Sequence, residues 1–391
     1  MKNHIYIHFP YCLYKCHYCD FNSHARSPQD IPYQKYTETL IKEIDTQIKQ
    51  EPHRLENKTI HSIYFGGGTP SLMPATFVFN ILNTLERHFT FTNKIEITLE
   101  ANPGTLNKDK LNAFKEAGIN RISMGIQSLN DNYLKRFGRI HSAQEAKDAI
   151  TLLQEVAFPK WSVDLIFGFP NQTNNEWKSD LSYILKTDTN HFSCYALTNE
   201  PGTHYTQQIK RGQILPTPDD QLTDMLKLTY ELSDKAGFTA YEISNFAKGL
   251  NYSEHNLGYW HYENFWGWGA GAWGQSDANN NQGNIFLLRT HNADDPHEYQ
   301  QQIELTGTRY TEEVDYPTAM FEYVMMGLRL KSGISIPEFN SRFNQGILNV
   351  FESGIKFSIE KGWLEHSGDR LMPTFEGFIF NNAMVSSFIQ D

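Results

Sequence analysis

Through residue 197, short apolar runs alternate with longer stretches whose apolar positions recur every three to four residues. HIYIHF (4–9), IHSIYF (60–65), IEITLEA (95–101), INRISMGI (119–126), WSVDLIFGFP (161–170) and HFSCYAL (191–197) predict six strands, the fifth running into a turn. Between them the helical period appears at 33–50, 74–88, 142–154 and 174–186, and in a segment with Asn107 as its cap and Gly118 as its stop. Six strand–helix units in a row predict an α/β fold of parallel strands covered by helices, either an open doubly wound sheet or a barrel. Glycine and polar residues gather at the ends of successive strands, in GGGTP, EANPG, GIQS and DLIFGFP. Turns account for the glycines and prolines. They do not account for Glu100, Gln127 and Asp164, which stand where a barrel of this kind carries its active site.

From about residue 240 the pattern changes. Residues 251–280 are rich in Asn, Gly and aromatics, and four of the seven tryptophans fall between 260 and 273. From about 315 the period is helical again, followed by a hairpin pattern, WLEHSGDRLMP, and a last helix. Helices with a small hairpin resemble a winged-helix arrangement. The expected organisation is a core barrel over 1–235, a connecting segment over 236–300 that packs on it, and a helical C-terminal domain over 301–391.

Charge narrows what such a chain can do. The net charge is −11, and residues 301–391 carry 7 basic against 12 acidic residues. No basic face is available for nucleic acid, even in the winged-helix-like part. No apolar run approaches the ~18–20 residues that span a bilayer, and MKNHIYIHFP does not read as a signal peptide. A cytoplasmic protein is expected. With 39% hydrophobic and 14% aromatic residues, a sizeable core is available.

Three of the four cysteines crowd into FPYCLYKCHYCDF, as Cys12, Cys16 and Cys19, spaced C-x3-C-x2-C. Thiolates are soft ligands that suit zinc, copper(I) or iron–sulfur clusters. A structural zinc site needs a fourth ligand, which His8, His17 or His24 could supply. A disulfide with one thiol left over is a second option. The third is a [4Fe–4S] cluster held by three cysteines, with one iron open to another ligand.

The cysteine spacing directly after the first strand, with Tyr18 before the third cysteine, resembles the radical S-adenosylmethionine superfamily. FGGGTPS after the second strand is similar to the turn with which that superfamily binds the cofactor. The resemblance implies a partial (β/α)6 barrel, a [4Fe–4S] cluster on Cys12, Cys16 and Cys19, and S-adenosylmethionine on the open iron, where one electron breaks its sulfonium C–S bond. YIHFPYC, EANPGT, RISMGIQS, FGRIH, DLIFGFPNQT and HNLGYW extend the resemblance to the coproporphyrinogen-dehydrogenase-like branch, over roughly residues 1–300. It implies that Tyr6 sits beside the cluster, that Gly67, Gly68 and Thr69 contact the methionine end, and that Glu100, Gln127, Arg139 and Asp164 line the cofactor pocket. Trp273, in GAWG, is a weaker match for an adenine contact.

Within the branch, the dehydrogenases carry a further cysteine two positions after the motif, where this chain has Phe21. CDFNSH and HNLGYW instead resemble the HemW-type heme chaperones. That likeness implies heme as a ligand, with His255 as a candidate axial ligand and Tyr259, Trp260, Phe265, Trp266 and Trp268 as an aromatic cover. It also implies a respiratory heme protein as acceptor, an electron donor for the cluster, and membrane association only through a partner. The rivals are radical decarboxylation of coproporphyrinogen III, a radical enzyme for another substrate, and a zinc-stapled binding protein.

Overall fold

A computed structural model describes residues 1–50, 58–278, 285–307 and 309–389; the Asn-rich end of the 251–280 stretch, residues 279 and 280, lies outside them. The six expected strands form as β1 (Asn3–Phe9), β2 (Thr59–Gly67), β3 (Thr90–Ala101), β4 (Arg121–Gln127), β5 (Lys160–Phe167) and β6 (His191–Ala196). They lie side by side in chain order, all parallel. The helices between them are α1 (Tyr33–Gln50), α2 (Ala75–His88), α3 (Lys108–Glu116), α4 (Asp131–Arg136), α5 (Ala143–Glu155) and α6 (Asn174–Ile184). Asn107 caps α3 by accepting a bond from the Lys110 amide at 2.8 Å.

The choice between open sheet and barrel is decided by what the strands enclose. Tyr64, Glu100, Arg121, Asp164 and Ser193, from five neighbouring strands, wall one cavity. A flat sheet cannot aim five strands at one space, so the sheet is curled into a partial barrel. Its outer face and the helices share an apolar core that includes Ile5, Ile63, Phe65, Leu85, Phe114, Leu153 and Trp177, all fully buried. Each such side chain contributes about 1.5–3 kcal/mol of transfer free energy. The inner face is polar: Tyr6, Tyr64, Thr98 and Arg121 are register partners across four strands, and Glu100, Ser123 and Ser162 across three. Buried polar groups are mostly satisfied by one another: Tyr64 donates to Glu100, and Ser123 bonds to Ser162 and Asp164.

The sheet extends beyond the six strands to twelve. At one edge, β7 (Thr239–Ala240) and β8 (Asn245–Ala247) run antiparallel beyond β6. At the other, β9 (Asn264–Trp268) lies parallel to β1, followed by antiparallel β10 (Trp273–Asp277), β11 (Ile285–His291) and β12 (Tyr310–Asp315). The aromatic segment therefore forms strands of the sheet itself. Gly267 permits this, because a Cβ there would lie 1.8 Å from the Trp273 carbonyl oxygen. Trp266 and Trp268 join the main core, and Trp268 donates to Gln47 at 2.8 Å. These two indoles are core residues, not a ligand cover.

A second core unites Leu287 and Val314, from β11 and β12, with Val324, Leu328, Phe339, Phe343, Ile347, Leu371 and Met384. Here helices including Tyr316–Gly327, Ile336–Phe343 and Glu352–Glu360 pack with a small antiparallel sheet. That sheet comprises β13 (Ile334–Ser335), β14 (Leu364–Ser367) and β15 (Arg370–Pro373), the last two being the expected hairpin.

Candidate functional site

The cysteine loop leaves the end of β1 and is tied at its base. Residues Tyr11–Cys12 pair with His24–Ala25, and the His24 and Arg26 amides donate to the Pro10 and Cys12 carbonyls at 2.7 and 2.9 Å. All three cysteines are free thiols. Burial pushes the Cys12 thiol up to about 11 and raises that of Cys19. Nearby imidazoles are committed elsewhere. His8 bonds to the Tyr6 hydroxyl at 3.0 Å and the Asn22 carbonyl at 2.8 Å, and His17 to the Arg136 carbonyl at 3.0 Å and the Tyr14 hydroxyl at 3.2 Å. His24 bonds to the Asn22 side chain at 3.1 Å. Among the described residues, no three or more His, Cys, Asp or Glu side chains converge as a site for a single metal ion.

The thiols instead face a cavity of about 130 Å³, whose wall also holds Tyr18, Gly67, Gly68, Thr69, Glu100, Gln127, Arg139 and Asp164. The turn after β2 is zipped to the cysteine loop: the Gly68 amide donates to Phe9 at 2.7 Å and the Thr69 amide to Tyr11 at 2.9 Å. A Cβ on Gly68 would come 2.6 Å from the Tyr11 carbonyl oxygen, so only glycine allows this approach. Two sulfurs are joined through side chains. Arg139 donates to Cys16 Sγ at 3.5 Å and to Asn102 Oδ1 at 2.7 Å; Asn102 donates to Thr69 Oγ1 at 3.1 Å; Thr69 donates to Cys12 Sγ at 3.3 Å.

Charge in the cavity is unbalanced in a telling way. Arg139 is half-buried, and its buried Nε has no hydrogen-bond partner. Glu100 accepts from the Tyr64 hydroxyl at 2.8 Å and the Gly67 amide at 3.1 Å. Burial, reinforced by Asp164, still pushes its carboxyl up to about 7. Asp164 accepts from Ser123 at 3.0 Å and is likewise raised, chiefly by burial. An unpartnered guanidinium nitrogen on the same wall as two carboxyls raised by burial suits a ligand that has both hydroxyls and a carboxylate.

Two expected residues lie off this wall. Tyr6 borders a second cavity of about 750 Å³, together with Gly67, Glu100, Phe21, Tyr259, Phe265 and Trp273. His255 lines none of these cavities. It is fully buried, with Nδ1 at 2.8 Å from Ser62 Oγ and Nε2 at 2.9 Å from the Tyr259 hydroxyl, and its ring stacks on Tyr64. Of the expected aromatic cover, Tyr259 and Phe265 reach the second cavity, whereas Trp260 lies under the Arg329 guanidinium. A third cavity of about 900 Å³ runs from Tyr18, Cys19 and Asp164 to Phe378–Ala383 of the C-terminal helices. Phe21 is exposed and stands on the walls of all three. Asn102, Ser123 and Tyr64 belong to the site but are absent from the sequence reading. Asn102 lies within the EANPGT run, whose turn residues could have marked it, but nothing local marks Ser123 and Tyr64 as inward-facing.

Three unpaired thiols after the first strand of a partial barrel, a glycine turn folded onto them, and polar groups on the succeeding strand ends define the radical SAM class. Residues 6–184 match the Radical SAM superfamily, and residues 314–380 match the HemN C-terminal domain. The chain is 35% identical over 387 residues to the heme chaperone HemW of Haemophilus influenzae, covering 99% of this chain and 98% of that one. It is 33% identical to HemW of Escherichia coli with the same coverage. Among solved structures, the coproporphyrinogen III oxidase HemN of Escherichia coli superposes with a TM-score of 0.81 at 18% identity, over 99% of this chain and 90% of that one. The chain belongs to the radical SAM superfamily and, within it, to the family of HemW heme chaperones. Among the described residues, no helix is long and apolar enough to cross a membrane.

Proposed function

We propose that this protein is a cytoplasmic heme chaperone that binds a [4Fe–4S] cluster, S-adenosylmethionine and heme, and passes heme to a respiratory heme protein. The superfamily implies the first two cofactors. The observation that carries their placement is the cavity on which three free thiols, the Gly67–Thr69 turn and the unpartnered Arg139 Nε meet. Cys12, Cys16 and Cys19 would hold the cluster. The Gly67–Thr69 backbone would receive the methionine end, Arg139 its carboxylate, and Glu100, Gln127 and Asp164 the ribose and adenine. When bound, the cluster supplies an electron for reductive cleavage of the sulfonium. The protein's own part is to exclude water, hold Glu100 by Tyr64 and Gly67, and fix Cys12 and Cys16 through Thr69 and Arg139.

Heme suits the 750 Å³ cavity, which falls in the range that encloses such ligands and is walled by Tyr6, Tyr259, Phe265 and Trp273. His255 is the proposed axial ligand, reached when iron displaces the Tyr259 hydroxyl from Nε2. A separate electron donor would reduce the cluster, and a membrane-side acceptor would be met through protein contact.

The rival reading, radical decarboxylation of coproporphyrinogen III, finds support in the HemN fold, while Phe21 replaces the dehydrogenases' extra cysteine. Anaerobic reconstitution, followed by incubation with coproporphyrinogen III, reductant and S-adenosylmethionine, separates the two. We expect about four irons per chain, heme binding and no protoporphyrinogen. Protoporphyrinogen at enzymatic rates would sink the chaperone reading, and one tightly bound zinc would sink both.

A further inference from the structure

The 900 Å³ cavity extends well past the cofactor site. Its inner end shares Tyr18, Cys19, Glu100, Gln127 and Asp164 with the cavity of the thiols. Toward the C-terminal helices its wall is Tyr195, Leu197, Ile243, Phe378 and Phe380, of which Tyr195 and Phe380 are exposed. A space of this size with such a wall suits the apolar body of a ligand, and its few charged groups set what else that ligand carries. Two arginines line it. Arg121 is committed to Glu96 at 3.4 Å and to Ser162 and His191 at 3.3 Å. Arg329 is half-buried and uncommitted: among the described residues it makes no ion pair, and its buried Nε has no acceptor.

This guanidinium is held in place without being used. Arg329 follows the helix Tyr316–Gly327, and its neighbours are pinned from two sides. Leu330 bridges to Glu242, and the Lys331 amide donates to the Tyr241 carbonyl at 3.0 Å. From the other side, Asn381 donates to the Leu328 carbonyl at 3.1 Å. The guanidinium itself lies over the Trp260 ring, 4.6 Å from its centroid. Nearby carboxylates do not answer it. Glu242 accepts from the Ser244 amide at 3.0 Å and from the Asn245 side chain. Glu100 and Asp164 are bonded inside the barrel, and Asp20 and Glu200, also on the wall, form no ion pair with it. An arginine is always charged and matches a carboxylate with two parallel N–H groups. One that is fixed by its backbone and by stacking, and faces a cavity with no carboxylate of its own, is prepared for a carboxylate on a ligand.

We propose that Arg329 is a specificity-determining residue: a propionate arm of the tetrapyrrole that this protein binds enters the 900 Å³ cavity and pairs with its guanidinium. The tetrapyrrole rests on the reading of the protein as a heme chaperone; the carboxylate rests on Arg329 and its cavity. The 750 Å³ cavity, on the side of His255 that Tyr259 faces, shares Asp20, Phe21 and Glu100 with this one, so iron and carboxylate would draw on adjoining walls.

Hemin and its dimethyl ester, titrated into the full-length chain, test the pair, because esterification removes the carboxylates and leaves the ring and iron alone. Wild type should bind the free acid on the order of tenfold more tightly than the ester, the worth of a charge-assisted pair. Arg329→Gln should lose that preference by weakening the acid and sparing the ester, with the hemin absorption spectrum unchanged. Arg329→Lys should keep part of it. An Arg329→Gln that retains the full preference, or that weakens acid and ester alike, overturns the proposal, since a merely structural role would move both together. If Arg329→Gln fails to fold, Arg329→Met, which keeps an apolar stem over Trp260, reads the same difference. A wild type that binds the ester as tightly as the acid overturns the proposal with no variant at all. Should wild type bind no hemin, the heme reading falls. Coproporphyrin III against its tetramethyl ester, followed by porphyrin fluorescence, then puts the same question to Arg329, and no difference there overturns the proposal as well.

Discussion

At the mouth of the barrel, Cys12, Cys16 and Cys19 present free thiols to a cavity, and the guanidinium beside them keeps one nitrogen unpartnered. Deeper in the same barrel, His255 has both ring nitrogens engaged and aromatic rings packed against it. The first arrangement costs free energy in the isolated chain, because buried polar groups lack partners. The second costs nothing until a ligand asks for Nε2. Polar atoms left open therefore mark a site that a resident group completes. Closed ones mark a site that must exchange a bond to bind, which suits a cargo that has to leave again.

The sharpest way to break this contrast is Cys16→Ala. With only two thiols left, iron after anaerobic reconstitution should fall from about four per chain to near none, with loss of the brown absorbance. His255→Ala should leave the iron intact. If His255→Ala also removed the iron, the two regions would not be separate sites.

His255→Ala should instead appear in stability. It opens a cavity and strips Ser62 and Tyr259 of a partner, at a cost of about 2–4 kcal/mol, measurable as a lower denaturation midpoint with unchanged slope. Cys16→Ala, at a partly exposed position, should cost well under that. Equal losses would mean that His255 is no more committed than the thiol.

Gly68→Ala divides the mouth itself. The new methyl would meet the Tyr11 carbonyl, a backbone atom that cannot step aside cheaply. We expect a cost of about 1–3 kcal/mol and S-adenosylmethionine binding weakened at least tenfold in calorimetry, with iron content kept. Loss of iron as well would show that the turn and the thiols form one unit.

Much of this contrast is legible in the amino-acid sequence. The six strands announced themselves because each is a short apolar run closed by turn residues, and the cysteines because soft ligands at that spacing have few other uses. The cavity wall followed, since Glu100, Gln127 and Asp164 stand at strand ends, where side chains turn inward. The strands β9 to β12 were not legible. NFWGW joins β1 across more than 250 residues of chain, and its glycine serves a crossing visible only in three dimensions. Nor did HNLGYW disclose that it is a capped helix with its histidine turned inward. Ser62 and Tyr64 carry no local sign of function, because which strand face looks into the barrel depends on register.

The smallest effect has opposite signs in the two regions, and this is what makes it diagnostic. The Glu100 carboxyl, pushed up to about 7 from an ordinary 4.5, holds its proton more tightly in the fold than in the unfolded chain. Across that window the folded state binds more protons, so this group's contribution to stability is lost as pH rises. The shift corresponds to on the order of 3 kcal/mol. His255 is held well below its ordinary value by burial, so the unfolded chain is the one that gains a proton in acid, and its contribution is lost as pH falls through the ordinary histidine range. Denaturation midpoints from pH 5 to 8 should therefore show Glu100→Gln gaining on wild type as pH rises. His255→Gln should lose least against wild type at the acid end. A Glu100→Gln difference that does not change with pH would mean that the carboxyl is already ionised in the fold, and that the mouth of the barrel is no less satisfied than its interior.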